Sequence, residues 1–89
     1  LRAQQTRTVT GRVTQSEDGE PMPGVSVSIK GTTSGTLTDA GGNYSLPNVP
    51  ERAVLLFSFI GRQTQEIATG NRAAINVQLE PDVTELTQV

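Results

Sequence analysis

Eighty-nine residues suffice for one small domain, which buries only roughly 60% of the surface its unfolded chain would expose. Cysteine and histidine are both missing, so a disulfide framework is excluded and the commonest general base and transition-metal ligand are absent. A net charge of −2, with seven basic residues scattered along the chain, offers no polyanion-binding face, and the longest apolar run is too short to cross a bilayer.

The chain begins Leu1-Arg2-Ala3-Gln4-Gln5. Ala-Gln-Gln ahead of a polar start is similar to the region around a bacterial signal-peptide cleavage site, with a plain flexible tail as the alternative. Residues 1–7 are assigned to that tail. Beyond them no window shows helical spacing, while period-two alternation recurs, so strands are expected throughout. Residues 8–15 alternate, with Val9, Gly11 and Val13 on one face and Thr8, Thr10, Arg12 and Thr14 on the other. Residues 16–24, SEDGEPMPG, form a loop, because two prolines, two glycines and three acids leave little to pair or bury. Residues 25–30 are the cleanest strand, with Val25, Val27 and Ile29 directed inward.

Residues 31–46, GTTSGTLTDAGGNYSL, read as turn, short strand (36–38), tight turn (39–43) and short strand (44–46). Gly, Asn and Asp suit the turns and Thr the pleated strands, so the stretch carries the chain across between two sheets. Tyr44 and Leu46 share a face, and a buried Tyr44 hydroxyl needs a polar partner. Residues 47–52 are expected to be a connection, since Pro47 and Pro50 cannot donate to a ladder. Residues 53–60 are the most apolar and should form a central strand with Leu55, Phe57 and Phe59 on the core face. Residues 63–69 form a polar strand anchored only by Ile67, which leaves its register open. After a turn at Gly70-Asn71, residues 73–80 close the fold with Ile75, Val77 and Leu79 inward, and Pro81 stops them. Seven short strands with turns at this spacing predict an all-β, seven-stranded antiparallel two-layer sandwich.

Chemistry-bearing patterns are sparse. Asp39 and Asn43 flank a glycine-rich loop, but two side chains fall short of the six or more oxygens calcium requires, so a turn that bonds its own backbone is expected. Glu17, Asp18 and Glu20 read as a solvated acidic loop, lacking the rigid scaffold that separates the pKa values of a catalytic carboxylate pair. Ser34, Ser45 and Ser58 have no histidine to activate them. Arg7, Arg12, Arg62 and Arg72 lack the interleaved aromatics of a nucleic-acid platform. No enzyme activity, cofactor or metal is therefore expected. A carbohydrate-binding sandwich is disfavoured, because Tyr44, Phe57 and Phe59 occupy core-type positions rather than an exposed face.

Five stretches in order carry a family resemblance: VTGRV (9–13), GEPMPGVSVSIKGT (19–32), GTLTDAGGNYSLPNVP (35–50), LLFSFIG (55–61) and INVQLEPD (75–82). Together they resemble the carboxypeptidase-regulatory-like (transthyretin-like, immunoglobulin-like) β-sandwich, in the version found at the N-terminus of SusC-type TonB-dependent outer-membrane transporters of Bacteroidetes. The resemblance implies that residues 8–81 are the sandwich and that residues 82–89 lead into a TonB box. Leu86, Thr87, Gln88 and Val89 look like the edge of that box, with Gln88 at the usual glutamate position. Arg62 departs from the pattern, which has an aromatic after the glycine. The implied role is a non-catalytic spacer or docking module on the periplasmic side of the outer membrane, exported with a cleaved signal peptide. Its implied partners are TonB or other periplasmic proteins, the plug and barrel of its own transporter, and a surface lipoprotein. Nucleic acid and direct membrane insertion are not implied. A folding or attachment module of a secreted peptidase or surface protein is the alternative.

Overall fold

The computed structural model describes residues 6–82. Seven strands follow one another: β1 (Thr6–Gln15), β2 (Ser26–Ile29), β3 (Gly35–Leu37), β4 (Asn43–Pro50), β5 (Val54–Ser58), β6 (Gln65–Ala68) and β7 (Val77–Leu79). They form two sheets, one in the order β4-β1-β7 and one in the order β3-β2-β5-β6. The alternation seen in the sequence decides which face of each strand is buried. Val9, Val13, Tyr44, Leu46, Val77 and Leu79 point from the smaller sheet onto Val27, Ile29, Leu55 and Phe57 of the larger, and all are buried. Phe59 packs against the same core and is only partly covered. Residues 39–42 carry the chain from β3 to β4, and so from one sheet to the other, as their turn composition predicts.

Three expectations need correction. First, pairing is not antiparallel throughout, because β1 and β7 run parallel, with Val13, Thr14 and Gln15 opposite Val77, Gln78 and Leu79. The whole of the other sheet lies between them in sequence, so no hairpin imposes the antiparallel direction. Second, residues 47–50 are not a connection but the second half of β4, where Val49 and Pro50 pair with Arg7 and Thr6. β4 is an edge strand, where a missing proline donor is tolerated. Between the pairs Arg7–Val49 and Val9–Leu46, Pro47 and Asn48 oppose Thr8 alone, a bulge accommodated by Asn48 at φ 60°. Third, Thr6 and Arg7 belong to β1, so the flexible tail expected over 1–7 cannot include them. Leu1 to Gln5 lie outside the described residues.

β6 acquires its register from β5, with Leu55 opposite Ile67 and Phe57 opposite Gln65. Two buried hydroxyls make bonds that alternation does not reveal. Thr38 Oγ1 accepts the Val25 N–H at 2.9 Å and donates to the Met22 carbonyl at 2.5 Å, which ties the loop after β1 to the start of β2. Thr69 Oγ1 donates to the Ala53 carbonyl at 3.2 Å.

Candidate functional site

A tightly constrained place is found on β1, between β4 and the approach to β7. Gly11 pairs with Tyr44 on one side, and the tyrosine ring passes over it to reach the segment leading into β7. There its hydroxyl donates to the Ile75 carbonyl at 2.7 Å, which is the polar partner the sequence requires. A regular parallel ladder would give that carbonyl to Arg12 N–H; instead Arg12 N–H bonds Asn76 Oδ1 at 3.1 Å. Regular ladder bonds precede the exchange, Thr10 N–H to Ala73 O at 2.9 Å and Ile75 N–H to Thr10 O at 2.8 Å. A Cβ on Gly11 would overlap the Ile75 carbonyl and stand 2.9 Å from the Tyr44 hydroxyl, so the ring can cross only a glycine. Tyr44 meets Phe57 edge-on, with ring centroids 5.5 Å apart, and burial pushes its phenol up to about 12. A phenol so held is a structural donor, not a proton carrier.

Arg62 sits at the end of the sandwich where β7 finishes. Its guanidinium grips Glu17 through two bonds of 2.8 Å, and also donates to Gln15 Oε1 and the Leu79 carbonyl, both at 3.1 Å. Those bonds hold the Glu17 carboxyl at about 2, below its ordinary 4.5. Glu17 stays on the exposed acidic loop expected from sequence, and is also one half of a clamp joining the ends of β1 and β7 to the β5–β6 turn. Arg62, the departure from the resembled pattern, covers this end of the sandwich by charge and hydrogen bonding. Nothing in the sequence announced this pairing, because 45 positions separate the partners.

The other predicted positions do not converge on a reaction centre. Asp39 Oδ1 accepts the N–H groups of Gly41 and Asn43 at 3.0 and 2.9 Å, so its carboxylate serves the turn. Asp18 Oδ1 accepts the Glu20 N–H at 3.0 Å. The arginines are dispersed onto separate acceptors: Arg7 on Asn71 O, Arg12 on Gly41 O, and Arg72 on Ala68 O and Thr69 O. A shallow depression of about 500 Å³ on the outside of the smaller sheet is lined by Arg12, Thr14, Asn76, Val77 and Gln78. Among the described residues no group of three or more acids is placed to hold a metal. Leu86, Thr87, Gln88 and Val89 lie outside the described residues.

Fold and surroundings thus define a small β-sandwich whose polar side chains are spent on holding the fold. The CarboxypepD_reg-like domain family matches residues 9–89, and the chain belongs to that family. The chain is 44% identical over 85 residues to TonB-dependent receptor P3 of Formosa agariphila, and 41% identical over 82 residues to TonB-dependent receptor SusC of Bacteroides thetaiotaomicron. These alignments cover 96% and 92% of this chain but 8% of each relative. The chain is thus similar to a small part of each of these TonB-dependent receptors. A crystal structure of a type II cohesin–X-dockerin complex from Acetivibrio cellulolyticus, a C-terminal interface mutant, contains a chain of the same fold. That likeness has a TM-score of 0.64 and 22% identity, covering 81% of this chain and 52% of the other.

Proposed function

We propose that this chain is a non-catalytic accessory domain of a TonB-dependent nutrient transporter, lying on the periplasmic side of the outer membrane ahead of the TonB box. It acts as a folded spacer and docking module for glycan or peptide uptake, with Leu86, Thr87, Gln88 and Val89 handing over to the segment that adds as a strand to TonB. Relatives of 41–44% identity over most of the chain support the transporter part of this reading. The observation that carries the spacer role is the parallel pairing of β1 with β7. Because the two terminal strands run the same way, the chain arrives at one end of the sandwich and leaves at the other. Ten residues of β1 set the two ends roughly 30 Å apart. A domain with antiparallel terminal strands would return the chain to its starting end and space nothing.

The reading is tested in the full-length protein with an epitope joined ahead of Thr6. Fractionation should recover the epitope with the outer membrane, resistant to protease added to intact cells and cleaved once the outer membrane is permeabilised. Cleavage in intact cells would put the domain on the cell surface and reject the periplasmic role.

A further inference from the structure

Leu37 and Ile60 are the large apolar side chains left exposed among the described residues, at 64% and 90%. Both lie at the end of the sandwich from which the chain departs. Ser26 pairs with Leu37 on one side and Ser58 on the other, so Leu37 and Ser58 stand in one row across the larger sheet. Ile60 follows Ser58 by two residues, and the Asp82 N–H bonds the carbonyl of the neighbouring Gly61 at 3.0 Å.

Ile60 is not on a loose loop. The Arg62 N–H closes its turn on the Phe59 carbonyl at 3.0 Å, the Arg62 guanidinium is gripped by Glu17, and Phe59 packs against the core. A braced turn holding an isoleucine in water is a presented surface. The same face of the larger sheet continues with the half-covered Val54 and Leu56. Ser26, Ser28 and Ser58 share this face, and the Lys30–Glu66 ion pair borders it beside Leu56, away from the Leu37–Ser26–Ser58 row, while the outer face of the smaller sheet carries Thr10, Arg12, Thr14, Ser45, Asn76 and Gln78.

We propose that the surface around Leu37 and Ile60 docks against an uncharged, apolar patch on the folded polypeptide that follows residue 82. The occupant is identified by where the chain leaves. More than nine tenths of each relative lies outside the matched stretch, and here the onward polypeptide departs beside Ile60. It therefore meets this surface first and at high effective concentration. The proposal rests on the transporter reading, since that reading supplies a large folded body after residue 82.

The test uses the full-length protein in permeabilised cells, with its other cysteines removed. This chain has none of its own, so single probes are placed by Leu37→Cys and Ile60→Cys, with Thr10→Cys and Gln78→Cys as controls on the opposite sheet. Maleimide should label positions 37 and 60 about tenfold or more slowly than 10 and 78. After a protease site inserted at residue 84 is cut and the domain released, all four should label alike. Equal rates before the cut overturn the proposal. Slow labelling of 37 and 60 that survives release also overturns it, because a second copy or another protein would then be the cover. Fractionation of the same cells reports separately on the transporter reading, so the failure of one is distinguishable from the failure of the other.

Discussion

Replacing Gly11 with alanine places a methyl group on β1 between β4 and the approach to β7. The new Cβ overlaps the Ile75 carbonyl and crowds the Tyr44 hydroxyl at 2.9 Å. Two costs follow. The hydroxyl must withdraw from Ile75 O, leaving a buried carbonyl without its partner, which costs about 1–3 kcal/mol. The backbone at Ile75, just ahead of β7, must also shift away from β1, an overpacking cost of about 1–3 kcal/mol. Together these amount to about 2–6 kcal/mol. At about 4–8 °C per kcal/mol for a domain this size, the melting temperature should fall by about 10–50 °C, followed by circular dichroism and checked by urea unfolding. Tyr44→Phe isolates the first cost, because it keeps the ring and its edge-on contact with Phe57 and removes only the hydroxyl. It should lose about 1–3 kcal/mol. Gly11→Ala should cost less in the Tyr44→Phe background than alone, since part of the damage is shared. A Gly11→Ala variant melting within about 3 °C of the parent would refute the reasoning, as would full additivity of the two changes.

Further expectations concern the clamp, the phenol and the buried threonine. Glu17 has a folded-state value of about 2 against an ordinary 4.5, so its bond to Arg62 stabilises fully above about pH 4.5 and is lost as pH falls toward 2. The parent should therefore exceed Glu17→Gln in melting temperature near neutrality, with the gap closing through that window; a gap constant down to pH 2 would contradict the clamp. Tyr44 is the only tyrosine, so ultraviolet titration reads its phenol directly and should give about 12. Because that value is raised, the phenol's contribution holds below about pH 10 and is lost as pH rises through 12; ionisation near 10 in the folded protein would contradict its burial. Thr38→Val keeps the shape but leaves the Val25 N–H and Met22 carbonyl unpaired, and should cost about 2–4 kcal/mol in urea unfolding.

The core was legible in the sequence because each strand obeys period two. Val9, Val13, Val25, Val27, Leu55, Phe57, Ile75, Val77 and Leu79 fall on the buried side that alternation assigns them. The tyrosine was legible too, since a buried hydroxyl needs an acceptor, though nothing local named the Ile75 carbonyl 31 positions away. Strand direction was not legible. Alternation says which face is buried, but is blind to whether the neighbour runs up or down, so the β1–β7 pair was misjudged. Pro47 and Pro50 misled for a related reason. Their lack of donors speaks against a central strand, and only the sheet order reveals β4 as an edge. The Glu17–Arg62 clamp was hidden because both residues are charged and flanked by turn-forming sequence, which reads as solvated wherever the partner is distant. Gly11 read as one member of an alternating face; the need for a bare backbone there comes from a ring on another strand.

Uptake per assembled barrel is the most direct measure of the central claim, that a folded sandwich ahead of the TonB box takes part in energised transport. Residues 9–81 are deleted in frame from the full-length protein with residue 82 onward retained, and nutrient uptake is normalised to the amount of barrel in the outer membrane. The account predicts a fall in uptake per barrel at unchanged TonB, with Gly11→Ala lowering it in proportion to the fraction of domain unfolded. Uptake per barrel equal to the parent, at normal barrel abundance, would contradict it.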